Sequence, residues 1–172
     1  TYSYDAAGRI ASVADGAGAT TTYERDALGN IASATNALGA TTSYSYDALG
    51  NLTSVTSPTG STERIARDVA GRPTSYTDGA DTETRFAYDG EGNLVEHADG
   101  TGATTRYEYD GAGRCTSITD PLGHITQLAY DAEGQLVAMM NPDGTTEAFE
   151  YDQMGNLARA TDELGAHMRY SY

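Results

Sequence analysis

The sequence has 172 residues, 25 acidic and 10 basic side chains, a formal net charge of −15 and a single cysteine, Cys115. This charge argues against a nucleic-acid partner and against a basic membrane-binding surface, because phosphate groups are bound mainly through Lys and Arg. No apolar run approaches the roughly 18 residues of a membrane span, so no membrane insertion is expected. One cysteine cannot form an intramolecular disulfide.

An aspartate recurs every 21 residues along the whole chain, and a glycine follows each aspartate three residues later. The chain 1–172 is therefore predicted to be one array of eight repeats. The pairs are Asp5 and Gly8, Asp26 and Gly29, Asp47 and Gly50, Asp68 and Gly71, Asp89 and Gly92, Asp110 and Gly113, Asp131 and Gly134, and Asp152 and Gly155. A second glycine column lies 13 residues after the aspartates, and in repeat four it holds Asp81.

In chain order, each repeat is predicted to contain a turn, a strand, a second turn and a second strand. Asp or Asn at the start of a turn caps its own backbone, and Gly at the end accepts a positive φ. The stretch from Thr105 to Tyr109 alternates polar and aromatic residues, which is typical of a half-buried strand. The sequence therefore predicts an all-β fold, a repetitive antiparallel hairpin meander of about sixteen strands that forms a curved or spiralling sheet.

Matching of apolar residues predicts the register at the first turn. A three-residue loop, a type I turn with a G1 bulge, places Tyr46 opposite Leu52 and Tyr151 opposite Leu157 on one face. The second turn has two solutions. A four-residue loop keeps the leucine column on the tyrosine face, whereas a three-residue loop requires a bulge in the strand that follows the leucine column.

Two columns, one and three residues before the aspartates, hold almost all the aromatic residues and are predicted to form the aromatic core. Their members are Tyr2, Tyr4, Tyr23, Tyr44, Tyr46, Phe86, Tyr88, Tyr107, Tyr109, Tyr130, Phe149, Tyr151, Tyr170 and Tyr172. The column four residues before the aspartates is expected on the opposite face, towards solvent or a wet cavity. It comprises Thr22, Ser43, Arg64, Arg85, Arg106, Gln127, Ala148 and Arg169.

The repeated aspartates are predicted to cap turns rather than bind metal, with backbone N–H donors one to three residues ahead. His97, His124 and His167 occupy three different phases of the repeat, and Cys115 replaces Leu or Ile in an apolar column. No pair of titratable groups recurs as a site. We therefore predict no catalytic residues, no metal ligands and no cofactor.

The segments Tyr46 to Leu52, Tyr109 to Arg114 and Tyr151 to Leu157 resemble the RHS repeat, also called the YD repeat, Tyr-Asp-x-x-Gly-[Arg/Asn]-[Leu/Ile]. The motif's tyrosine position holds Arg25 and Arg67 in two repeats, and its leucine position holds Pro73 in one. Bacterial RHS proteins and the B and C components of insecticidal toxin complexes coil such strands into a hollow shell around a C-terminal toxin. Teneurins use a related shell in adhesion.

In bacterial members an Asp-Pro-x-Gly motif near the end of the shell is associated with self-cleavage. Residues 120–123 have these letters but stand in the ordinary turn column of their repeat, so no cleavage is expected there.

The resemblance implies a non-enzymatic structural segment of a large secreted or surface-exposed bacterial protein that builds the wall around a toxin or effector. The alternatives are an extracellular adhesion or self-assembling filament module without cargo and, ranked lower, carbohydrate binding through tyrosine faces. The first and last segments look like interior repeats. Both ends of the array are therefore expected to be uncapped and to pair with further repeats of the same protein or with other copies.

Overall fold

The computed structural model describes all residues 1–172 and contains strands and turns but no helix. No segment therefore forms a helix able to cross a membrane. The chain divides into two compact units, residues 1–85 and 86–172. The strands are consecutive and antiparallel, which confirms the predicted hairpin meander.

The first unit contains eight complete strands and the start of a ninth. They are β1 (Tyr2–Tyr4), β2 (Ile10–Ala14), β3 (Thr20–Arg25), β4 (Ile31–Thr35), β5 (Thr41–Tyr46), β6 (Leu52–Thr56), β7 (Thr62–Arg67), β8 (Pro73–Thr77) and β9 (Glu83–Tyr88). Each strand from β1 to β8 pairs with its successor in the chain.

The second unit contains the end of β9, which pairs with β10, and eight further strands in the same succession. They are β10 (Leu94–Ala98), β11 (Thr104–Tyr109), β12 (Cys115–Thr119), β13 (Ile125–Tyr130), β14 (Leu136–Met140), β15 (Thr146–Tyr151), β16 (Leu157–Thr161) and β17 (His167–Arg169).

The first turn of each repeat has the predicted geometry. Tyr46 lies opposite Leu52 and Tyr151 opposite Leu157. In this loop the N–H of Asp47 donates to the carbonyl of Asn51 at 2.9 Å, and Gly50 has φ +83°. This leaves three residues in the loop and confirms the register that hydrophobic matching favours.

The second turn is also a three-residue loop, which decides between the two solutions. The N–H of Asp120 donates to the carbonyl of His124 at 2.9 Å, and Gly123 has φ +85°. The compensating bulge is present in the preceding strand. Tyr109 and Glu108 lie opposite Cys115 and Ser117, so Thr116 has no partner across the ladder.

The alternation of side chains gives each unit an aromatic face and a polar face. In β11, Tyr107 and Tyr109 on the aromatic face are half-buried, whereas Arg106 and Glu108 on the polar face are exposed. The column expected to face solvent is exposed at seven positions, and Ala148 is half-buried.

The predicted aromatic core differs from the structure in one respect, because no residue of the chain is fully buried. The aromatic side chains of β3 to β15 are half-buried, but Tyr2, Tyr4, Tyr170 and Tyr172 are exposed. The physical reason is that the strands of each unit form one layer, without a second layer in that unit over the aromatic face. These side chains therefore pack only against their neighbours along the sheet.

Candidate functional site

The repeated turn contacts are the most regular chemical feature of the chain, so they define the candidate site. In each unit the first turns, which begin at the repeated aspartates, lie at one end of the strands. The second turns, which begin ten residues later, lie at the other end. We name these rows the first-turn edge and the second-turn edge.

Each aspartate of the first-turn edge accepts hydrogen bonds from its own turn. In Asp47, Oδ1 accepts the N–H groups of Leu49 and Asn51, both at 2.9 Å, and Oδ2 accepts the side-chain amide of Asn51 at 3.0 Å. The two backbone donors thus lie two and four residues after the aspartate. The donor four residues ahead lies beyond the predicted range of one to three residues. The Oδ1 acceptor recurs at every first turn, with donors two and four ahead in six of eight.

A contact with the aspartate explains why the repeat motif has Arg or Asn four residues after it. Arg114 Nε and the amide of Asn30 each donate to the second oxygen of their aspartate, at 2.7 and 3.0 Å. This side-chain hydrogen bond is the largest cause that holds the pKa below its ordinary value at five aspartates. They are Asp26, Asp47, Asp89, Asp110 and Asp152.

The lowered aspartate pKa values predict loss of stability in acid. The unfolded chain takes up these protons at a higher pH than the folded chain does. The stabilisation is therefore complete above the unfolded pKa near 3.8 and is lost as the pH falls through the folded values. The urea concentration at the unfolding midpoint, measured between pH 6 and pH 3, is expected to decrease once the pH is below about 4.

Asp47→Asn is the matched variant, because Asn36 shows that an amide oxygen can make the same cap, accepting the N–H groups of Leu38 and Ala40 at 2.9 and 3.0 Å. The variant is expected to lose less stability than the wild type between pH 5 and pH 3. Equal losses in the two proteins would show that the Asp47 carboxylate contributes nothing to the acid response.

Tyrosines one residue before the aspartates tie neighbouring strands together, a contact that the sequence-based predictions missed. Tyr109 donates its hydroxyl to the carbonyl of Leu94 in the preceding strand, at 2.8 Å. The same bond joins Tyr46 to Ile31, Tyr130 to Cys115 and Tyr151 to Leu136, at 2.8 to 2.9 Å. We name this series the tyrosine ladder.

The end of the backbone ladder explains why a side chain is needed at this place. The backbone pairing of β10 with β11 ends at Glu96 and Arg106, so it stops two residues short of Leu94. The hydroxyl of Tyr109 therefore reaches a carbonyl that lies beyond the end of the backbone ladder. A carbonyl in a partly buried position needs a donor.

Arg25 accounts for one departure from the tyrosine column. Its guanidinium donates to the carbonyl of Ile10, the equivalent acceptor, at 3.2 Å and to that of Gly29 at 2.9 Å. Arg67 makes the second of these contacts, to Gly71, at 3.1 Å. The sequence does carry a signal for this role, because the column one before the aspartate contains Tyr and Arg, both with a donor at the tip, and never Phe.

The polar face is held by exposed cross-strand contacts. Ser3 and Ser12 approach to 2.6 Å through their hydroxyls, and Arg159 donates to Glu150 at 3.1 Å. Pairs of this kind contribute a few tenths of a kcal/mol up to about 1 kcal/mol in a sheet. They support the sheet without forming a pocket.

The structure brings together few groups capable of chemistry. His124 Nδ1 lies 2.9 Å from Asp120 Oδ2, but both side chains are exposed and the pair occupies an ordinary second turn. Residues 120–123 form that turn, with the N–H of Gly123 donating to the carbonyl of Asp120 at 3.0 Å. Cys115 is half-buried, and no group of three or more His, Cys, Asp or Glu could hold a metal ion.

Two surface grooves lie at equivalent positions of repeats five and seven. One, of about 870 Å³, is lined by residues that include Asp131, Gln135 and Tyr151. The other, of about 650 Å³, is lined by residues that include Asp89 and Asn93. These positions differ by two periods of the repeat, so the two grooves are equivalent places in repeats five and seven.

The family comparison covers most of the chain. The sequence profile described as RHS Repeat matches residues 4–41, 25–62, 67–104, 88–125 and 130–167. No curated protein sequence matches the chain.

Several solved structures share the fold. A crystal structure of TcdB2-TccC3-TEV is 22% identical with a TM-score of 0.66, over 90% of this chain and 10% of that one. A crystal structure of TcdB2-TccC3 is 19% identical with a TM-score of 0.65, over 97% and 11%. A structure of the Photorhabdus luminescens Tc holotoxin pore is 21% identical with a TM-score of 0.62, over 83% and 9%. The chain thus spans about a tenth of the length of these proteins.

Proposed function

This chain belongs to the RHS repeat family, and we propose that it is a wall segment of a large secreted or surface-exposed bacterial protein that encloses a C-terminal toxin or effector. The RHS repeat is a structural kind of domain, and we propose no catalytic activity for this segment. At both ends of the array, further repeats of the same protein or other copies would continue the sheet.

One observation carries the proposal, namely a one-layer sheet that repeats without change of register and buries no residue fully. A sheet of this kind has no buried core, but its length grows by a fixed amount with each repeat. At two strands per repeat and about 4.8 Å per strand, each repeat adds about 10 Å across the strands. The fold shared with TcdB2-TccC3 supports the same role.

The tyrosine hydroxyls argue for a structural role over carbohydrate binding. In β5, β11, β13 and β15 the hydroxyl one before the aspartate is engaged by a backbone carbonyl. A sugar that accepted a hydrogen bond from these hydroxyls would have to compete with the backbone carbonyls. A glycan array that shows specific binding would favour the carbohydrate alternative.

Protection of the C-terminal region is the test of enclosure. We expect that, in the full-length parent protein, a broad-specificity protease cleaves the region after the repeats at least about tenfold more slowly than the same region expressed alone. The control is the full-length protein in urea that unfolds the repeats, in which protection is lost. Equal cleavage rates, together with open fibres in electron micrographs, would replace the wall function with the filament alternative.

A further inference from the structure

The aromatic face of β15, β16 and β17 carries a pocket with an acidic side chain in its lining. Its volume is about 320 Å³, and the residues that line it include Glu147, Phe149, Ala160, Met168 and Tyr170. The N–H of Tyr170 donates to a backbone carbonyl of β16 at 3.0 Å, which places this residue beside the strand. The volume is within the range of sites for small molecules. We name this site the β15–β17 pocket.

Glu147 places a charge on the apolar side of the sheet. It stands two residues before Phe149 and opposite Met139, so the alternation of side chains puts it on the aromatic face. Glu147 is half-buried, and its side chain forms no hydrogen bond or ion pair. A half-buried carboxylate loses part of its hydration, so a cation beside it is stabilising. Most repeats instead have threonine at this position, namely Thr21, Thr42, Thr84, Thr105 and Thr126.

Strands β7 and β8 contain a filled version of the same arrangement. Four periods earlier in the chain, Glu63 stands at the position of Glu147 and Tyr76 at the position of Ala160. A hydrogen bond from the Tyr76 hydroxyl to the Glu63 carboxylate is the largest cause that raises the pKa of Tyr76. Ala160 has neither the ring nor the hydroxyl. The space beside Glu147 is therefore open, and its carboxylate has no donor from the chain.

The lining favours a cation, and in particular a cation without N–H donors. It contains two acidic residues, Glu147 and Asp162, and one histidine, His167. Oδ1 of Asp162 already accepts two N–H groups of its own turn, at 2.8 and 3.0 Å. The rings of Phe149 and Tyr170 and the apolar groups beside them offer few acceptors for the three N–H donors of a primary ammonium group. A quaternary ammonium group has no donor to satisfy, and ring faces attract its charge.

We propose that the β15–β17 pocket binds a small quaternary ammonium cation, a trimethylammonium compound of the choline type, with Glu147 as its counter-ion and Phe149 and Tyr170 as its ring contacts. The aromatic face already holds one cation against a ring, since Arg114 Cζ lies 5.0 Å from the centroid of the Tyr130 ring. The inference does not rest on the proposed wall function, because the pocket is formed by neighbouring strands of this chain alone.

Titration of the chain with choline chloride at about pH 8, followed by NMR, tests the site. The methyl signal of Met168 is expected to shift with a dissociation constant of about 1 mM or lower. The methyl signal of Met154, at an exposed turn tip, is expected to stay in place. The control ligand is the neutral carbon analogue of choline, in which a tert-butyl group replaces the trimethylammonium group. It is expected to bind at least about tenfold more weakly, and equal affinity of the two ligands would refute recognition of the charge.

Two further ligands define the chemical class. Ethanolamine has a primary ammonium group in place of the quaternary one and is expected to bind at least about fivefold more weakly than choline. Phosphocholine adds a phosphate that Glu147 and Asp162 would repel, and it is expected to be weaker by a similar factor. Tighter binding of ethanolamine would overturn the quaternary class, and tighter binding of phosphocholine would overturn the inference of a free cation.

Matched variants locate the site. Ala160→Tyr is expected to abolish choline binding, because a tyrosine at this place fills the space and donates to the carboxylate, as Tyr76 does. Glu147→Thr, which introduces the residue of most repeats, is expected to weaken binding at least about tenfold. Glu150→Gln removes a charge from the polar face of the same strand and is expected to leave the dissociation constant within about twofold. Circular dichroism and urea unfolding check that each variant is folded. A folded Ala160→Tyr protein that binds choline as well as the wild type, or equal effects of Glu147→Thr and Glu150→Gln, would overturn the inference.

Discussion

Replacing Tyr109 by Phe is expected to lower the free energy of unfolding by about 1 kcal/mol, the usual contribution of a partly buried hydrogen bond. The change removes only the hydroxyl that donates to the carbonyl of Leu94 at 2.8 Å. Burial raises the pKa of Tyr109, as expected for a hydroxyl that water reaches poorly. The carbonyl of Leu94 would then lose its donor at the point where the backbone pairing of β10 and β11 has ended.

Tyr107→Phe is the matched control on the same strand and the same face. Tyr107 lies opposite Ile118, two residues before Tyr109, and its hydroxyl has no partner of this kind. Its removal is expected to change the free energy of unfolding by no more than a few tenths of a kcal/mol. Urea unfolding followed by circular dichroism measures both variants. Equal effects would show that the tyrosine ladder adds nothing beyond ring packing.

Replacing Asp81 by Gly is expected to raise the free energy of unfolding by about 1 kcal/mol, because Asp81 is held at φ +61°. It is the one residue other than glycine with a positive φ, and it closes its turn like the glycines, with its N–H donating to the carbonyl of Asp78 at 3.1 Å. A glycine at this place adopts the same backbone without the steric cost of Cβ.

Gly102→Asp is the reciprocal variant at the equivalent turn of the next repeat, where Gly102 has φ +86°. It is expected to lower the free energy of unfolding by about as much as Asp81→Gly raises it. The ion pair of Asp81 with Arg64, at 3.6 Å between two exposed side chains, is too weak to reverse the first effect. A less stable Asp81→Gly protein would show that this pair outweighs the backbone strain.

Both expectations reflect how a one-layer wall obtains its stability. Since no residue is fully buried, hydrophobic burial is limited, and hydrogen bonds that close turns and join strands carry a larger share. Each repeat contacts only its neighbours along the chain, so local effects are expected to add nearly independently.

The amino-acid sequence by itself determined the repeat, the all-β meander and the register of the first turn. The turns are predictable because Asp at the start and Gly at the end act within five residues of chain. The register follows because a shift by one residue would move Tyr46 and Leu52 to different faces. The sequence identified the repeated aspartates as turn caps for the same reason, and this role stays a prediction.

Only the tertiary structure decided the second turn, the tyrosine ladder and the exposure of the aromatic face. A four-residue loop, or a three-residue loop with a bulge, restores the same facing of side chains, so alternation alone cannot choose between them. The bond from Tyr109 to Leu94 joins residues 15 apart, on two strands whose alignment is known only once the second turn is decided. The alternation of polar and aromatic residues shows which face is apolar, but whether anything covers that face depends on chain packed above it, and no residue of the repeat carries that information.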